Sequence, residues 1–452
     1  MLNYIWLALI VLAVLIGGFQ GNLGAVGDAA VDKAKYAVYP LGATLLAVMT
    51  LWLGLMRLAE KAGLINRLGL LLRPLLRLLF PDVPPNHPAL GAIVLNVSAN
   101  ILGLNNAATP LGLRAMSELD KLNPRPGIAT NAMCMLLAIN TASITLIPVT
   151  AIGFLVAAKG KDPFVIIGTS LAATAITQLC GICACKLLER TSWSRRQLES
   201  APVSRETAAA PAKSASEGSE VQASAERADE SLPWVPGSKW ILAAFAGIFI
   251  GMTLAFGFPE LDGVAPAPEV ARHWWPIRLV NQLSTEVLPW LILLFPLYAM
   301  LRRIPVYEQF VEGGKEAVQV ILRILPYLVG MLVAVGMFSA AGGMDLIKMV
   351  LSPVTNAFGF PADLVPMAVI RPFSSAAAQG LLADLIQKHG PDDILALMAA
   401  TFYGCSETTF YVIAVYFGSV GIKVSRHAIL TGLISDSIQP IAAVIVCRAV
   451  LG

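Results

Sequence analysis

The sequence predicts an all-α polytopic membrane protein built from two related repeats, and three observations carry that reading. Of 452 residues, 56% are hydrophobic and only 13% are charged, roughly half the charge of an ordinary soluble protein. The mean hydropathy is +0.71. The apolar residues come in blocks of roughly 17–25, the length that crosses a hydrocarbon core of about 30 Å, and about ten membrane-embedded helices fit the chain. Finally, one polar stretch interrupts the pattern and leaves comparable halves on either side.

That stretch, residues 191–237, turns to Ser, Ala, Glu, Arg and Pro with almost no large apolar side chain. Such a composition cannot bury enough surface to offset chain entropy, so it reads as a flexible cytoplasmic linker. It separates a first membrane repeat, residues 1–190, from residues 238–452, which hold an extra helix near 239–258 and a second repeat. The N-terminal apolar run, Tyr4 to Phe19, has no basic segment before it and reads as a retained helix.

The halves share an order of features. Val31-Asp32-Lys33-Ala34-Lys35-Tyr36-Ala37-Val38 finds a counterpart in Val311-Glu312-Gly313-Gly314-Lys315-Glu316-Ala317-Val318. Long apolar helices follow near 37–57 and 318–340. Next come a Gly (Gly63; Gly342 or Gly343) and an amphipathic stretch with a central Pro74 or Pro353, closed by Pro81 or Pro361. Regions rich in small and polar residues then span about 89–117 and 364–386. Two further helices complete each half, near 130–157 and 163–187, then 393–418 and 427–449.

If each small, polar region is a re-entrant or broken-helix element returning to its own side, the extra helix inverts the second repeat. Charge agrees. Arg57, Lys61, Arg67, Arg73 and Arg77 follow the second helix of the first half, where the second half offers only Lys348. Arg302 and Arg303 follow the first repeat helix of the second half, where the first half is near neutral. Arg114, Lys121 and Arg125 precede one long helix, whereas Asp384, Asp392 and Asp393 outweigh Lys388 before its counterpart. Under the positive-inside rule this alternation implies opposite orientations. Lys186, Arg190, Arg195 and Arg196 place the linker in the cytoplasm, with Lys423 and Arg426 on the same side. Inverted repeats of this kind are a plan of secondary transporters.

Four segments could carry chemistry. Asn96 to Gly112 reads NVSANILGLNNAATPLG; its amides, with Asn100, Asn105 and Asn106 among them, are too many for a lipid-facing helix. Irregular backbone at membrane depth survives only where protein or a wet cavity satisfies it. The bland alternative is a cytoplasmic loop. The counterpart, Arg371 to Gly380, reads RPFSSAAAQG and brings Arg371, Ser374, Ser375 and Gln379. In the long helices, Asn140-Thr141-Ala142-Ser143-Ile144-Thr145 aligns with Gly404-Cys405-Ser406-Glu407-Thr408-Thr409, setting Glu407 opposite Ser143. Asp436 lies mid-helix in the last segment, with Thr177 and Gln178 as its nearest equivalents. A carboxylate at membrane depth is costly unless paired, protonated or wet, so Arg371, Glu407 and Asp436 mark either a solute pathway or a structural ion pair. The candidate set for binding a solute or ion is Asn100, Asn105, Asn106, Ser143, Arg371, Ser374, Glu407, Thr408 and Asp436.

Other classes find less support. The net charge of +3 is too small to imply a nucleic-acid partner. Cys180, Cys183 and Cys185 form a tight cluster, but no second cysteine pair or nearby histidine completes a metal site. Trp234, Trp240, Trp274, Trp275 and Trp290 fit an interfacial belt, and His273 reads as interfacial rather than as a ligand. Residues 259–285 read as a short periplasmic excursion. No phosphate-binding loop, H-E-x-x-H or G-x-S-x-G occurs, so the sequence offers no ATP site or catalytic constellation and does not read as an enzyme.

At NILGLNNAATPLGLRAMSEL the first half resembles the spore maturation protein A family. At RPFSSAAAQG and GCSETTF the second half resembles the spore maturation protein B family. The chain looks like a fusion of the two, and both are similar to the gate, or nucleoside-recognition, family. That wider family includes membrane segments of ferrous-iron transporters and the concentrative nucleoside transporters. The resemblance implies hairpins beside broken helices in inverted repeats and a role in moving a small solute. Ferrous-iron transporters depend on a cytosolic GTPase domain, which this sequence does not contain.

The expected function is a secondary transporter or permease of the bacterial inner membrane, for a nucleoside-like, amino-acid-like or other zwitterionic solute. No cofactor is expected beyond a coupling proton or sodium ion. The expected partners are the lipid bilayer, the small polar solute and, compatibly with the sequence, a second copy in a homo-oligomer. The rival expectation is a non-transporting scaffold or regulator in envelope or spore maturation, whose membrane charges close on one another without a cavity.

Overall fold

The computed structural model describes residues 2–103, 105–194, 234–257, 275–346, 359–405 and 407–451, with the isolated positions 349, 353 and 355. The greater part of the expected linker, together with His273, Trp274 and Lys348, lies outside the described residues. The architecture is all-α, as the composition requires. Among the described residues five helical stretches are long and apolar enough to cross a membrane: Leu23–Lys61, Ile166–Glu189, Ser238–Phe256, Val306–Ala340 and Ala428–Leu451. Other apolar stretches come as shorter helices.

In chain order the first half contains α1 (Leu2–Phe19), α2 (Leu23–Tyr36), α3 (Ala43–Lys61), the amphipathic α4 (Leu64–Leu79), α5 (Pro88–Ile101), α6 (Asn105–Lys121), α7 (Asn131–Thr141), α8 (Val149–Ala157) and α9 (Ile166–Glu189). A helix at Ser238–Gly257, α10, matches the extra element expected from sequence. The second half continues with α11 (Trp275–Leu301), α12 (Val306–Ala340), α13 (Val365–Ile370), α14 (Ser375–His389), α15 (Ile394–Gly404), α16 (Thr409–Ser419) and α17 (Ala428–Leu451).

The small, polar regions fold as helix pairs, α5 with α6 and α13 with α14. Each long helix expected after them is two short helices with a non-helical break between, at residues 142–148 in the first half and, among the described residues, at 405, 407 and 408 in the second. The sequence explains both breaks. Pro148 has no N–H and disfavours helical backbone before it, and the hydroxyls of Ser143, Thr145 and Thr408 compete with the helix ladder. The broken helices also begin alike. The Thr130 side chain accepts from Met133 N to cap α7, and Asp393 accepts from Leu395 N to cap α15.

Matching contacts hold the breaks. Leu146 N donates to Ile101 O at the end of α5 at 2.9 Å, and the aligned Phe410 N donates to Pro372 O, between α13 and α14, at 3.2 Å. The two breaks also touch, with Glu407 N donating to Thr141 O at 3.2 Å.

The halves join through their connections in two places. Val424 N donates to Gly127 O and Ala129 N to Val424 O, each at 3.0 Å, tying the α6–α7 connection to the α16–α17 connection. Elsewhere Lys161 N donates to Asp392 Oδ1 at 2.8 Å, tying α8–α9 to α14–α15. α3 also crosses α12 almost backbone to backbone. A methyl group on Gly313 would sit 2.5 Å from Leu53 O and 2.9 Å from Gly54 Cα, so only small residues allow the crossing. Arg57 reaches across it to Glu316 and Gln309, and Lys33 of α2 pairs with Asp384 of α14 at 2.9 Å.

An amide ladder fixes the first helix pair. Asn100 Nδ2 donates to Asn140 Oδ1 at 2.8 Å, Asn140 Nδ2 donates to Asn96 Oδ1 at 2.9 Å, and Asn96 Nδ2 donates to Ala108 O at 2.8 Å. The Tyr416 hydroxyl donates to Asn140 Oδ1 at 3.2 Å and brings in the second half.

Both described ends of the linker are docked rather than free. Ser194, fully buried, accepts from Arg426 through its carbonyl and hydroxyl, and its Oγ lies 2.9 Å from His427 Nδ1. At the other end the guanidinium groups of Arg67 and Arg302 both lie against Trp234, 4.7 and 5.0 Å from its ring centroid. The cytoplasmic charge clusters expected from sequence therefore meet on these anchors.

Two outcomes follow. Asn140→Leu strands the Asn96, Asn100 and Tyr416 groups, each costing about 1–3 kcal/mol, and lowers the melting temperature of the purified protein by several degrees. Burial, then the charges of Arg426 and Lys186, pushes His427 down to about 4. The unfolded chain takes that proton near pH 6.5, so its contribution to stability is present above about pH 6.5 and is lost as pH falls toward about 4. Thermal melts of His427→Gln across that window should decline less than wild type.

Candidate functional site

A cavity of about 310 Å³ lies where the two halves meet. Met49, Trp52 and Leu53 of α3 and Val320 and Ile324 of α12 form its walls. Thr145 and Ile147 through Ala151, at the first break, line it beside Tyr403, Gly404 and Glu407 at the second. Gly103, from the turn between α5 and α6, and Arg371, Ser375 and Gln379 complete it. Both repeats thus contribute the same kinds of element.

Arg371 closes α13 and is only 3% exposed. Its Nη1 donates to Thr408 Oγ1 at 3.0 Å and its Nη2 to Tyr403 O at 3.3 Å. The guanidinium also lies 4.8 Å from the Tyr403 ring centroid. Gln379 Nε2 donates to the Tyr403 hydroxyl at 2.7 Å, and Ser375 Oγ stands 3.0 Å from that hydroxyl. A buried guanidinium held by several fixed acceptors keeps its place, so the polar wall is ordered before any solute enters.

Helix ends add partial charges. The first residues of α8, Val149 to Ala151, and of α14, Ser375, line the cavity, as do the last of α15, Tyr403 and Gly404. Helix N-termini favour negative groups and C-termini positive ones. With Arg371 and Glu407 on the same wall, the cavity offers complementary poles to a solute carrying both kinds of group.

The candidates from sequence divide. Arg371 and Glu407 line the cavity together, and Thr408 supports it by holding Arg371. Ser374 is buried behind the wall, where its hydroxyl caps α14 by accepting from Ala377 N at 3.1 Å. Ser143 is buried in the first break. Asn100 belongs to the amide ladder. The side chains of Asn105 and Asn106, like Ser406, lie outside the described residues. Asp436 is buried on α17 beside Thr409, separate from the residues that line the cavity. On α9, Cys183 is exposed while Cys185 is buried, so the cysteine cluster does not share one face.

Sequence reasoning missed Trp52. Its indole is 4% exposed, and its Nε1 has no hydrogen-bond partner although it lines the cavity. The available signal was its place in the middle of an apolar helix rather than near an end. Tyr403 was noted only as a neighbour of Glu407, yet it organises the polar wall.

The gate family model, described as nucleoside recognition, matches residues 43–158 and 321–423. These spans run from α3 into the end of α8 and from α12 past the end of α16, and so include the cavity-lining segments. Spore maturation protein B of Bacillus subtilis is 43% identical over 176 residues, covering 39% of this chain and 99% of that protein. Spore maturation protein A of the same organism is 41% identical over 197 residues, covering 44% of this chain and 98% of that protein. No solved structure matches the chain. The chain belongs to the spore maturation protein A and B families, with gate domains in both halves, and is a multi-pass membrane protein of a transporter-like family.

Proposed function

We propose that this protein is a secondary transporter or permease of the bacterial cytoplasmic membrane, carrying a small polar solute through a site between two oppositely oriented halves. The observation that carries the reading is the cavity itself: about 310 Å³, bounded by both broken helices, with Arg371 and Glu407 on one wall. That volume lies at the small end of ligand pockets. A purely structural ion pair would close on itself and leave no such space, which favours transport over the scaffold reading.

Opposite orientation draws support from the connections. The α6–α7 connection meets α16–α17 at one end, and the α14–α15 connection meets α8–α9 at another. A broken helix that crosses the membrane separates α14–α15 from α16–α17. The equivalent connections α6–α7 and α14–α15 then fall on opposite sides, which is the inverted plan that many transporters use for alternating access.

The solute class follows from charge and shape. Arg371 and two helix N-termini suit an anionic or strongly accepting group, while Glu407 suits a donor or cation. A net-neutral zwitterion satisfies both without leaving a buried charge unpaired. The Trp52 and Tyr403 rings could also face a flat ring, so a nucleoside-like solute remains in the class with amino-acid-like ones. Coupling to a proton or sodium ion would supply the driving force.

Metabolite profiling of cells and medium, comparing deletion, wild type and Glu407→Gln, tests this function. The expected result is one solute class displaced in the deletion and equally displaced in the variant. Losing one partner of a buried charged contact costs about 2–5 kcal/mol, so uptake should fall by about 30-fold or more. Wild-type levels of every solute in cells carrying Glu407→Gln would defeat the reading. Trp52→Ala should loosen the site, raising the apparent KM for the solute found while the folded protein remains abundant.

A further inference from the structure

The cavity does not use the most unusual polar group in the molecule. Asp436 is 5% exposed in the middle of α17, and neither of its carboxylate oxygens makes a well-formed hydrogen bond, although the Thr409 hydroxyl and the Arg371 guanidinium lie within electrostatic reach. One turn on, Gln439 is fully buried with both ends of its amide unpartnered. Thr409, the first residue of α16, is fully buried as well; its hydroxyl has no partner and lies within reach of Asp436. Ser435, also buried and unpartnered, sits at the edge of the group toward Gly181 of α9. Buried polar atoms are nearly always paired, so a concentration of unpaired ones points to something they bind.

The backbone adds another oxygen. Pro440 lies inside α17 and has no N–H, so the carbonyl four residues earlier, that of Asp436, loses its helical donor. Asp436 therefore offers a carboxylate and a released carbonyl from one residue. Beside them stand the Gln439 carbonyl oxygen and the Thr409 hydroxyl. All are hard oxygen donors, with one formal negative charge among them, which is the chemistry of an alkali cation rather than of a transition metal. A bound proton would neutralise the carboxylate but give a donor to only one acceptor.

We propose that Asp436, Gln439 and Thr409 form a sodium-binding site, separate from the solute cavity and joined to it through the second helix break. The join is short. Thr408 holds the cavity's Arg371, and Thr409, its neighbour in sequence, faces Asp436. Drawing Thr409 onto an ion fixes the turn that positions Arg371, so ion and solute each favour the other's binding. The role in coupling rests on the transport reading; the ion binding itself does not.

The test uses the purified full-length protein in detergent. Radioactive sodium binding is measured at constant pH and ionic strength with choline as the replacement cation, alongside thermal melts. Wild type should bind sodium saturably and melt at least about 2–4 °C higher with sodium than with choline. Asp436→Asn and Gln439→Leu should each lose at least about tenfold in sodium affinity, a loss of about 1.4 kcal/mol. If Asp436→Asn does not yield monodisperse protein, Thr409→Val carries the same expectation. Glu407→Gln should bind sodium as wild type does. Absence of saturable binding in folded wild type, a melting temperature no higher in sodium than in choline, or unchanged affinity in the folded variants overturns the site. Loss of transport in Glu407→Gln without sodium binding refutes this site and leaves the transport reading intact. Sodium binding with normal transport in that variant does the reverse.

Discussion

Backbone that leaves the helix at membrane depth has to find its hydrogen bonds inside the protein, and the rest of this structure is arranged around two places where that happens. At residues 142–148, and at 405, 407 and 408, the helix ladder stops. Leu146 N and Phe410 N turn to the ends of the neighbouring helix pairs, and Glu407 N turns to Thr141 O in the opposite half. These bonds tie each break to its helix pair and to the other break, so neither half can complete its interior alone. The same arrangement brings hydroxyls, helix ends and charged side chains together around the cavity. A polar cavity results because those groups cannot be packed as lipid-facing helix.

The contacts between halves then fall into place. Gly54 and Gly313 let α3 and α12 cross closely enough to wall the cavity from two sides. The amide ladder from Ala108 through Asn96, Asn140 and Asn100 holds the first helix pair rigid, and Tyr416 links it to the second half. Arg426 holds Ser194, and Arg67 and Arg302 hold Trp234, so both described ends of the linker are tethered. Buried polar groups here set register more than they add net stability, in keeping with the modest value of hydrogen bonds inside membranes.

Much of the fold was legible in the sequence, because membrane length and polarity are strong constraints. The extra helix at Ser238–Gly257, the two helix pairs and the order of elements follow from apolar blocks punctuated by Gly, Pro and amides. The breaks were visible as polar interruptions, though the sequence suggested continuous helices through 130–157 and 393–418; the structure ends each at Thr141 and Gly404 because hydroxyls and Pro148 compete with the ladder. The site was half legible. Arg371 and Glu407 stood out by cost alone, since charge at membrane depth demands a reason. Asn100 stood out equally and yet serves packing, because an amide announces only that it must be bonded, not to what. Trp52 was hidden, since an apolar helix gives no sign of which face meets a cavity. Asp436 was seen as a charge, but its separation from Arg371 and Glu407 depends on how α17 packs on α16, which no local pattern encodes.

The proposed arrangement sets two equivalent halves in opposite orientations around this cavity. Cysteine accessibility in intact cells tests it most directly, with single cysteines in place of Arg125 and Asp392 in the equivalent α6–α7 and α14–α15 connections. A membrane-impermeant maleimide should leave Arg125→Cys unlabelled until the membrane is opened and should label Asp392→Cys at once. Labelling of both from the same side would contradict the inverted arrangement and with it the account of how the cavity is reached.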